Sequence, residues 1–286
     1  MPTLKELKNR IQSVRSTQKI TSAMKMVSSV KLMKAEKAIN SFLPYQQALS
    51  EILRNYLSNQ IQTFSPYTDI RHVQHVAIVV FASNSSLCGN YNSNMIKRME
   101  QSIVTHRDVR KEDILIFPIG KKVSQACKKK NLKIAGDFEE IAAQPTFENT
   151  APIADTLTDM FLKHEIDRVK VIYLHYVNKS SQIMTADTFL PIEIKYRHGK
   201  ELRNNYIIEP SVEDIENKLI PLALRYHIYA AALEAQASEY AARTIAMQIA
   251  TDNADKLLQE LSLQYNKFRQ ESITNQILDL IAGSLH

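Results

Sequence analysis

Glycine is scarce in this chain, with five in 286 residues, and four of those (Gly89, Gly120, Gly136, Gly199) fall in its middle. Neither glycine nor proline occurs from Thr3 to Leu43, nor through the 61 residues from Leu222 to Ala282. In a helix interior glycine costs about 1 kcal/mol and proline about 3 kcal/mol, so both gaps read as long continuous helices. At about 1.5 Å per residue the second would run roughly 90 Å, too far to be buried in its own fold. Cysteine is scarce too. Cys88 and Cys127 are too few for a disulfide framework or a C-x-x-C metal site, and a reducing cytoplasm is expected. No run approaches the 18 or more apolar residues of a membrane span, and MPTLKELKNR lacks the apolar stretch of a signal peptide, so the chain is expected to stay where it is made. Also missing are G-x-G-x-x-G and any glycine-rich loop ending in Gly-Lys-Ser or Gly-Lys-Thr. Gly120-Lys121 stands without a phosphate cradle, and no nucleotide, cofactor or metal is expected.

What is present divides the chain into a helical frame and an irregular centre. With 44% apolar and 23% charged residues it has the composition of a globular protein. Residues 1–40 carry nine cations (Lys5, Lys8, Arg10, Arg15, Lys19, Lys25, Lys31, Lys34, Lys37) against Glu6 and Glu36, a local excess of seven positive charges in a chain whose net charge is +6. Such a face suits an acidic partner, or is simply solvated. No helix-turn-helix or aromatic stacking platform accompanies it, and nucleic acid is not expected as a partner.

Leu4, Leu7, Ile11 and Val14 step by three and four, and the stripe is expected to resume at Ile20, Met24, Val27 and Val30 in a helix running to about Asn59, bent at Pro44. In the last third, Ile215, Leu219, Leu222, Tyr226, Tyr229, Leu233, Ala237 and Tyr240 follow a near-heptad seam. A repeat near 3.5 residues gives a left-handed supercoil when a second helix packs on it. Ser211 and Asp214 after Pro210 read as a capping box, and Pro221 as a kink inside the helix. The two helices, residues 1–60 and 211–286, are expected to pair as an antiparallel coiled coil. The longer second helix is expected to overhang its partner with the apolar tip Ile273, Ile277, Leu280 and Ile281, which needs a socket in another protein.

Between them, residues 70–205 alternate strand and helix. Val73 to Ser83, Asp113 to Gly120 and Arg168 to Val177 are β-branched apolar runs, with helical patterns at 92–105, 121–130 and 149–164. This predicts a Rossmann-like α/β domain with a mostly parallel sheet, and QIMTADTFLPIEI an edge strand pair. Cys88 lies beyond the first strand, where a nucleophile elbow would sit, but its surroundings do not match G-x-S-x-G. Three readings follow: a non-catalytic coupling protein, a coiled-coil scaffold that dimerises through its centre, and a cytosolic enzyme using Cys88.

Three segments together resemble the gamma subunit of F-type ATP synthase: Thr17-Gln18-Lys19-Ile20-Thr21-Ser22-Ala23-Met24-Lys25-Met26-Val27; Tyr206-Ile207-Ile208-Glu209-Pro210; and the C-terminal series Ser238-Glu239, Ala241-Ala242-Arg243, Ala250-Thr251-Asp252-Asn253-Ala254, Tyr265-Asn266-Lys267, Arg269-Gln270 and Ile273-Thr274. The chain departs from the family at Ser83-Asn84-Ser85-Ser86-Leu87-Cys88-Gly89, where the family usually reads Ser-Asp-Arg-Gly-Leu-Cys-Gly, and at Gln276, where a glutamate is typical. The resemblance implies a rotor that catalyses nothing itself. The paired helices would turn inside a hexamer of alpha and beta subunits, and the α/β domain would be the foot on the membrane c ring. It further implies that Met24, Lys25, Arg269, Gln270 and Thr274 contact beta subunits, that Ile273, Ile277, Leu280 and Ile281 form the bearing tip, and that Tyr206 and Glu209 lie near the epsilon subunit and the c ring. One copy per complex, peripheral on the cytoplasmic face of a bacterial plasma membrane, is the implied setting.

Overall fold

The computed structural model describes residues 3–59, 65–106, 109–193 and 215–283. The Ser211–Asp214 capping box, Tyr206 and Glu209 lie outside the described residues. The described chain divides into two compact units, residues 1–30 with 243–286, and residues 31–242.

The second unit holds the sheet. Its strands are β1 (Val76–Phe81), β2 (Ile114–Ile119), β3 (Lys133–Ile134), β4 (Arg168–Asn178) and β5 (Ser181–Leu190), in the spatial order β3-β2-β1-β4-β5. The first four run parallel and β5 is antiparallel to β4. Helices α2 (Tyr91–Thr105), α3 (Lys121–Lys129), α4 (Glu139–Ala143) and α5 (Phe147–Leu162) connect them. All six residues of β1 are buried because helices cover both faces, which is why its sequence is a continuous apolar run. Val76, Ile78 and Val80 pack with Met95 and Met99 of α2 and Val123 and Cys127 of α3. Ala77, Val79 and Phe81 pack on the other face with Ile153, Leu157 and Phe161 of α5. QIMTADTFLPIEI supplies a single edge strand, β5, rather than a pair. Proline has no N–H for the ladder, and the strand stops at the cis Leu190–Pro191 bond.

Helix α1 spans Leu4–Asn59 and runs through Pro44 without a break. Pro44 is exposed, so the carbonyl it leaves without a partner can turn to water. Helix α6 spans Ile220–Gly283 and is preceded by a π-helical turn, Ile215–Leu219. Pro221 therefore lies in the first α-helical turn, not in the interior. The wider turn before it leaves room for a ring that would otherwise meet the carbonyl four residues back.

Within the second unit the two helices pair antiparallel. Phe42 meets Tyr229 (5.0 Å between ring centroids) and Tyr226 (5.4 Å), while the Lys31 ammonium lies 5.5 Å from the Tyr240 ring centroid. Leu32, Ala35 and Ile39 close on Leu233, Ala237 and Ala241. The opposite face of α6, Leu224, Ile228, Ala231 and Ala235, packs against the sheet side with Tyr56 and Leu57 of α1. From Ala230 to Ala235 every residue of α6 is buried. Alanine at so many of these positions lets backbone approach backbone on two sides.

Two histidines are held against protonation by burial. His106 donates its Nδ1–H to the Ser102 carbonyl at 2.8 Å, and its pKa is lowered first by burial and then by Lys170 and Arg168, against that hydrogen bond. His227, edge-on to Phe189 with centroids 5.6 Å apart, is lowered by burial against the pull of Asp187. Below the ordinary histidine value of about 6.5 the unfolded chain binds protons that the native state refuses, so this contribution to stability is lost as pH falls. Glu234, raised first by burial, works in the opposite sense, shedding stability as pH climbs above the ordinary carboxylate range. Urea titrations between pH 7.5 and 5.5 should show the midpoint falling with acid, and His106→Gln with His227→Gln should flatten that limb.

Candidate functional site

In an open α/β sheet, ligands bind beyond the carboxyl ends of the strands where the strand order reverses, here between β1 and β4. That crevice is filled by the chain's own α6. Tyr91, at the start of α2, donates its hydroxyl to the Ala235 carbonyl (3.1 Å), and Ser238 donates to the Leu174 carbonyl of β4 (2.8 Å). Next to them Glu234, one-tenth exposed, meets His175 of β4 at 2.6 Å. Tyr176 of β4 bonds Glu36 of α1. A nucleotide would have to displace a helix held by three polar contacts, so the crevice is a socket for α6.

The loop that departs from the family pattern closes the same end of the sheet. Asn84 accepts from the Lys121 N–H at 2.9 Å, capping α3 from a distance, and donates to the Glu139 carbonyl at 2.7 Å. Gly120, the residue before α3, has no side chain to do this. Asn84→Ala should cost about 1 kcal/mol, the usual loss for a capping oxygen, read as a lowered urea midpoint. Cys88 is buried in this loop, its sulfur 3.1 Å from Asn92 Nδ2 and 3.7 Å from Ser83 Oγ. Among the described residues its sulfur meets Asn92, Ser83 and the Ser85 carbonyl, none of which is a base able to take the thiol proton. Cys127 is equally inert, because burial pushes its thiol up to about 11. Among the described residues no group of three or more metal-ligating side chains converges, and no helix is long and apolar enough to cross a membrane.

Among its described residues the first unit consists of the two helices, again antiparallel. Thr251 donates to Thr21 at 2.9 Å, and Lys25 Nζ donates to Gln248 Oε1 at 2.7 Å. The inward residues of α1 are Leu4, Leu7, Ile11, Val14, Gln18, Thr21, Lys25 and Ser28, an unbroken alternation of three and four. Those of α6 are Thr244, Met247, Thr251, Ala254, Leu258, Leu261, Tyr265 and Phe268. The seam thus turns polar at mid-length, and the expected stripe is corrected there. Ile20, Val27 and Val30 are 61, 57 and 52% exposed and point away from α6, with Met26 beside them. Met24 and Lys25 flank this boundary, both half-buried.

The pairing register sets Leu4 opposite Phe268, so residues 269–283 lie beyond the start of α1 within this unit. Arg269, Gln270 and Thr274 are exposed. Ile273, Ile277, Leu280 and Ile281 are each about half exposed or more, and Leu278, which the sequence reading passed over, joins them.

A family model described as ATP synthase matches residues 3–285. The ATP synthase gamma chain of Bacteroides fragilis is 47% identical over the full length of both chains, and that of Phocaeicola vulgatus 45%. The chain belongs to the ATP synthase gamma family. Its fold is likewise that of a solved relative, the rotor of the Euglena gracilis mitochondrial ATP synthase, at a TM-score of 0.64 with 19% identity, covering 94% of this chain and 98% of that one. A central stalk from the Tetrahymena thermophila mitochondrial enzyme matches at 0.60 with 23% identity, over 81% and 99%. For a gamma-family chain, a filled sheet crevice, a polar mid-seam and an apolar helix end are the features any functional account must use.

Proposed function

We propose that this chain is the central-stalk rotor of an F-type ATP synthase, turning within a hexamer of alpha and beta subunits and coupling transmembrane proton flow to ATP synthesis or hydrolysis on the beta subunits. The observation that carries this reading is 47% identity to a gamma chain over the full length, together with a two-helix unit that exposes apolar side chains on its outer face and at its tip. The chain itself catalyses nothing: its sheet crevice is occupied by α6 and its cysteines are buried without a base.

The physical logic is differential contact. A helix pair that shows Ile20, Val27 and Val30 on one side and other residues elsewhere offers a different surface to each of three identical beta subunits. Rotation then biases their conformational equilibria differently. Met24 and Lys25 meet acidic loops of the beta subunits, for which the seven-charge excess of residues 1–40 is suited. Arg269, Gln270 and Thr274 make polar contacts beyond the start of α1, and Ile273, Ile277, Leu280 and Ile281 turn in the hexamer's sleeve. The domain of residues 70–205, with Tyr206 and Glu209, is the foot on the epsilon subunit and c ring, and the helices of 1–60 and 211–286 are the shaft. One copy per complex is held peripherally on the cytoplasmic face of a bacterial plasma membrane.

Copurification through a tagged beta subunit, with chain counting by quantitative mass spectrometry, tests this. One copy of this chain per three beta subunits is expected. A stable homodimer free of those subunits would favour the scaffold reading instead.

A further inference from the structure

Where α2 crosses the start of β4, on the central domain, three cations gather with little to balance them. Arg168 and Lys170 are two residues apart on β4, and side chains so spaced share one face of a strand. That is the face of Ile172 and Leu174, on which α2 packs, and α2 brings Arg98. Arg98 and Arg168 each bury an Nε that finds no hydrogen-bond partner, and these are two of six such side-chain atoms among the described residues. Among the described residues, the carboxylates of this region are already engaged. Asp167 accepts from the backbone N–H groups of Gln74 and His75, Asp113 pairs with Arg110, and Glu100 of α2 pairs with Lys130. Among the described residues, Glu193 acts on Lys170 with opposite charge.

The electrostatics agree with the geometry. Lys170 is lowered first by burial, then by Arg168 and Arg98, and the same Arg168 and Lys170 depress His106. Half-buried like charges facing one another are unfavourable unless something negative joins them. Orphaned buried N–H donors carry a similar cost.

We infer that Arg98, Arg168 and Lys170 form a binding site for a phosphate-class anion on the foot domain. Two guanidinium forks and an ammonium offer donors along several directions, which suits a tetrahedral dianion. The phosphate arrives on a soluble molecule or on a lipid headgroup, and both present the same oxygens to the site. This inference is independent of the rotor reading, since it uses only residues of the α/β domain.

Thermal unfolding of the full chain in sodium pyrophosphate, against sodium chloride of equal ionic strength, tests the soluble source. Flotation with vesicles of phosphatidylcholine, with or without phosphatidylglycerol, tests the lipid source. At least one arm should show a saturable response. Arg168→Gln with Lys170→Gln should weaken it about tenfold or more, the loss expected for removed charge-assisted hydrogen bonds. Without any anion the same double variant should be as stable as the parent or more so, because a repulsion is gone. Arg98→Gln, from the helix side, should weaken the response independently. A parent chain indifferent to both pyrophosphate and anionic vesicles, or variants that respond like the parent, would overturn the site. A double variant that unfolds without anion would also overturn it, by showing that the cations themselves hold the fold.

Discussion

Gly120→Ala should unfold the central domain under conditions where the parent is stable. Gly120 joins β2 to α3 at φ +107°, a backbone conformation that side chains resist. A Cβ there would lie 2.2 Å from the Ala82 carbonyl oxygen and 2.8 Å from its carbon. Those atoms cannot step aside cheaply, because Ala82 N–H donates to the Ile119 carbonyl at 2.8 Å and Lys122 N–H to the Ser83 carbonyl at 3.1 Å. Strain and collision together should cost about 3 kcal/mol or more. For a chain of this size that lowers the melting temperature by roughly 10 °C. Thermal unfolding followed by circular dichroism reads it directly, and a melting temperature within a degree or two of the parent would refute the packing described at this joint.

Truncation of α6 should separate two roles of one helix. A chain ending at Pro210 loses Ile220, Leu224 and Ile228, each fully or almost fully buried among the sheet residues. Burial of each such side chain is worth about 1.5–3 kcal/mol, which approaches the whole stability of a domain. ATP synthesis by complexes carrying that chain should be abolished, and the foot should fail to fold. A chain ending at Phe268 removes residues past the start of α1, where Arg269, Gln270 and Thr274 are exposed and, among the described side chains, only Ser272 is partly covered. It should melt like the parent, assemble and hydrolyse ATP, yet pump protons less for each ATP consumed. Parallel assays of ATPase and proton pumping check this. Equal pumping per ATP in the Phe268 truncation would remove the bearing role from Ile273, Ile277, Leu280 and Ile281.

Most of the fold was legible because its elements obey simple periods. Continuous β-branched runs gave β1, β2 and β4 nearly to their ends, and the absence of glycine and proline gave the two long helices. β3 and α4, two and five residues long, were not found, since such pieces carry no period and rest on neighbours already in place. The stripe of α1 went astray after Val14 for a definite reason. The inward positions Gln18, Thr21, Lys25 and Ser28 are polar, so a search for apolar spacing moved onto Ile20, Val27 and Val30, which face outward. A strict heptad count from Leu7 would have held the seam, and it would have shown that apolar residues lie on a face the fold leaves open. Nor did any local signal reveal that Asn84 caps α3 across the loop, or that α6 fills the sheet crevice. Both depend on residues far apart in sequence. Of the contact residues implied by resemblance, Arg269, Gln270, Thr274 and the apolar tip are exposed, while Lys25 is tied to Gln248 inside the pair.

The central claim is that this chain turns as a unit and that its turning drives the chemistry of its neighbours. A gold bead fixed to a cysteine placed on the exposed β5 edge at Ile183, in a complex anchored through its beta subunits, reports on that claim at the level of single molecules. On adding ATP, the bead should rotate in one direction with a dwell for each beta subunit. A bead that stays still, or only jitters without direction, while the same complexes hydrolyse ATP would contradict the account.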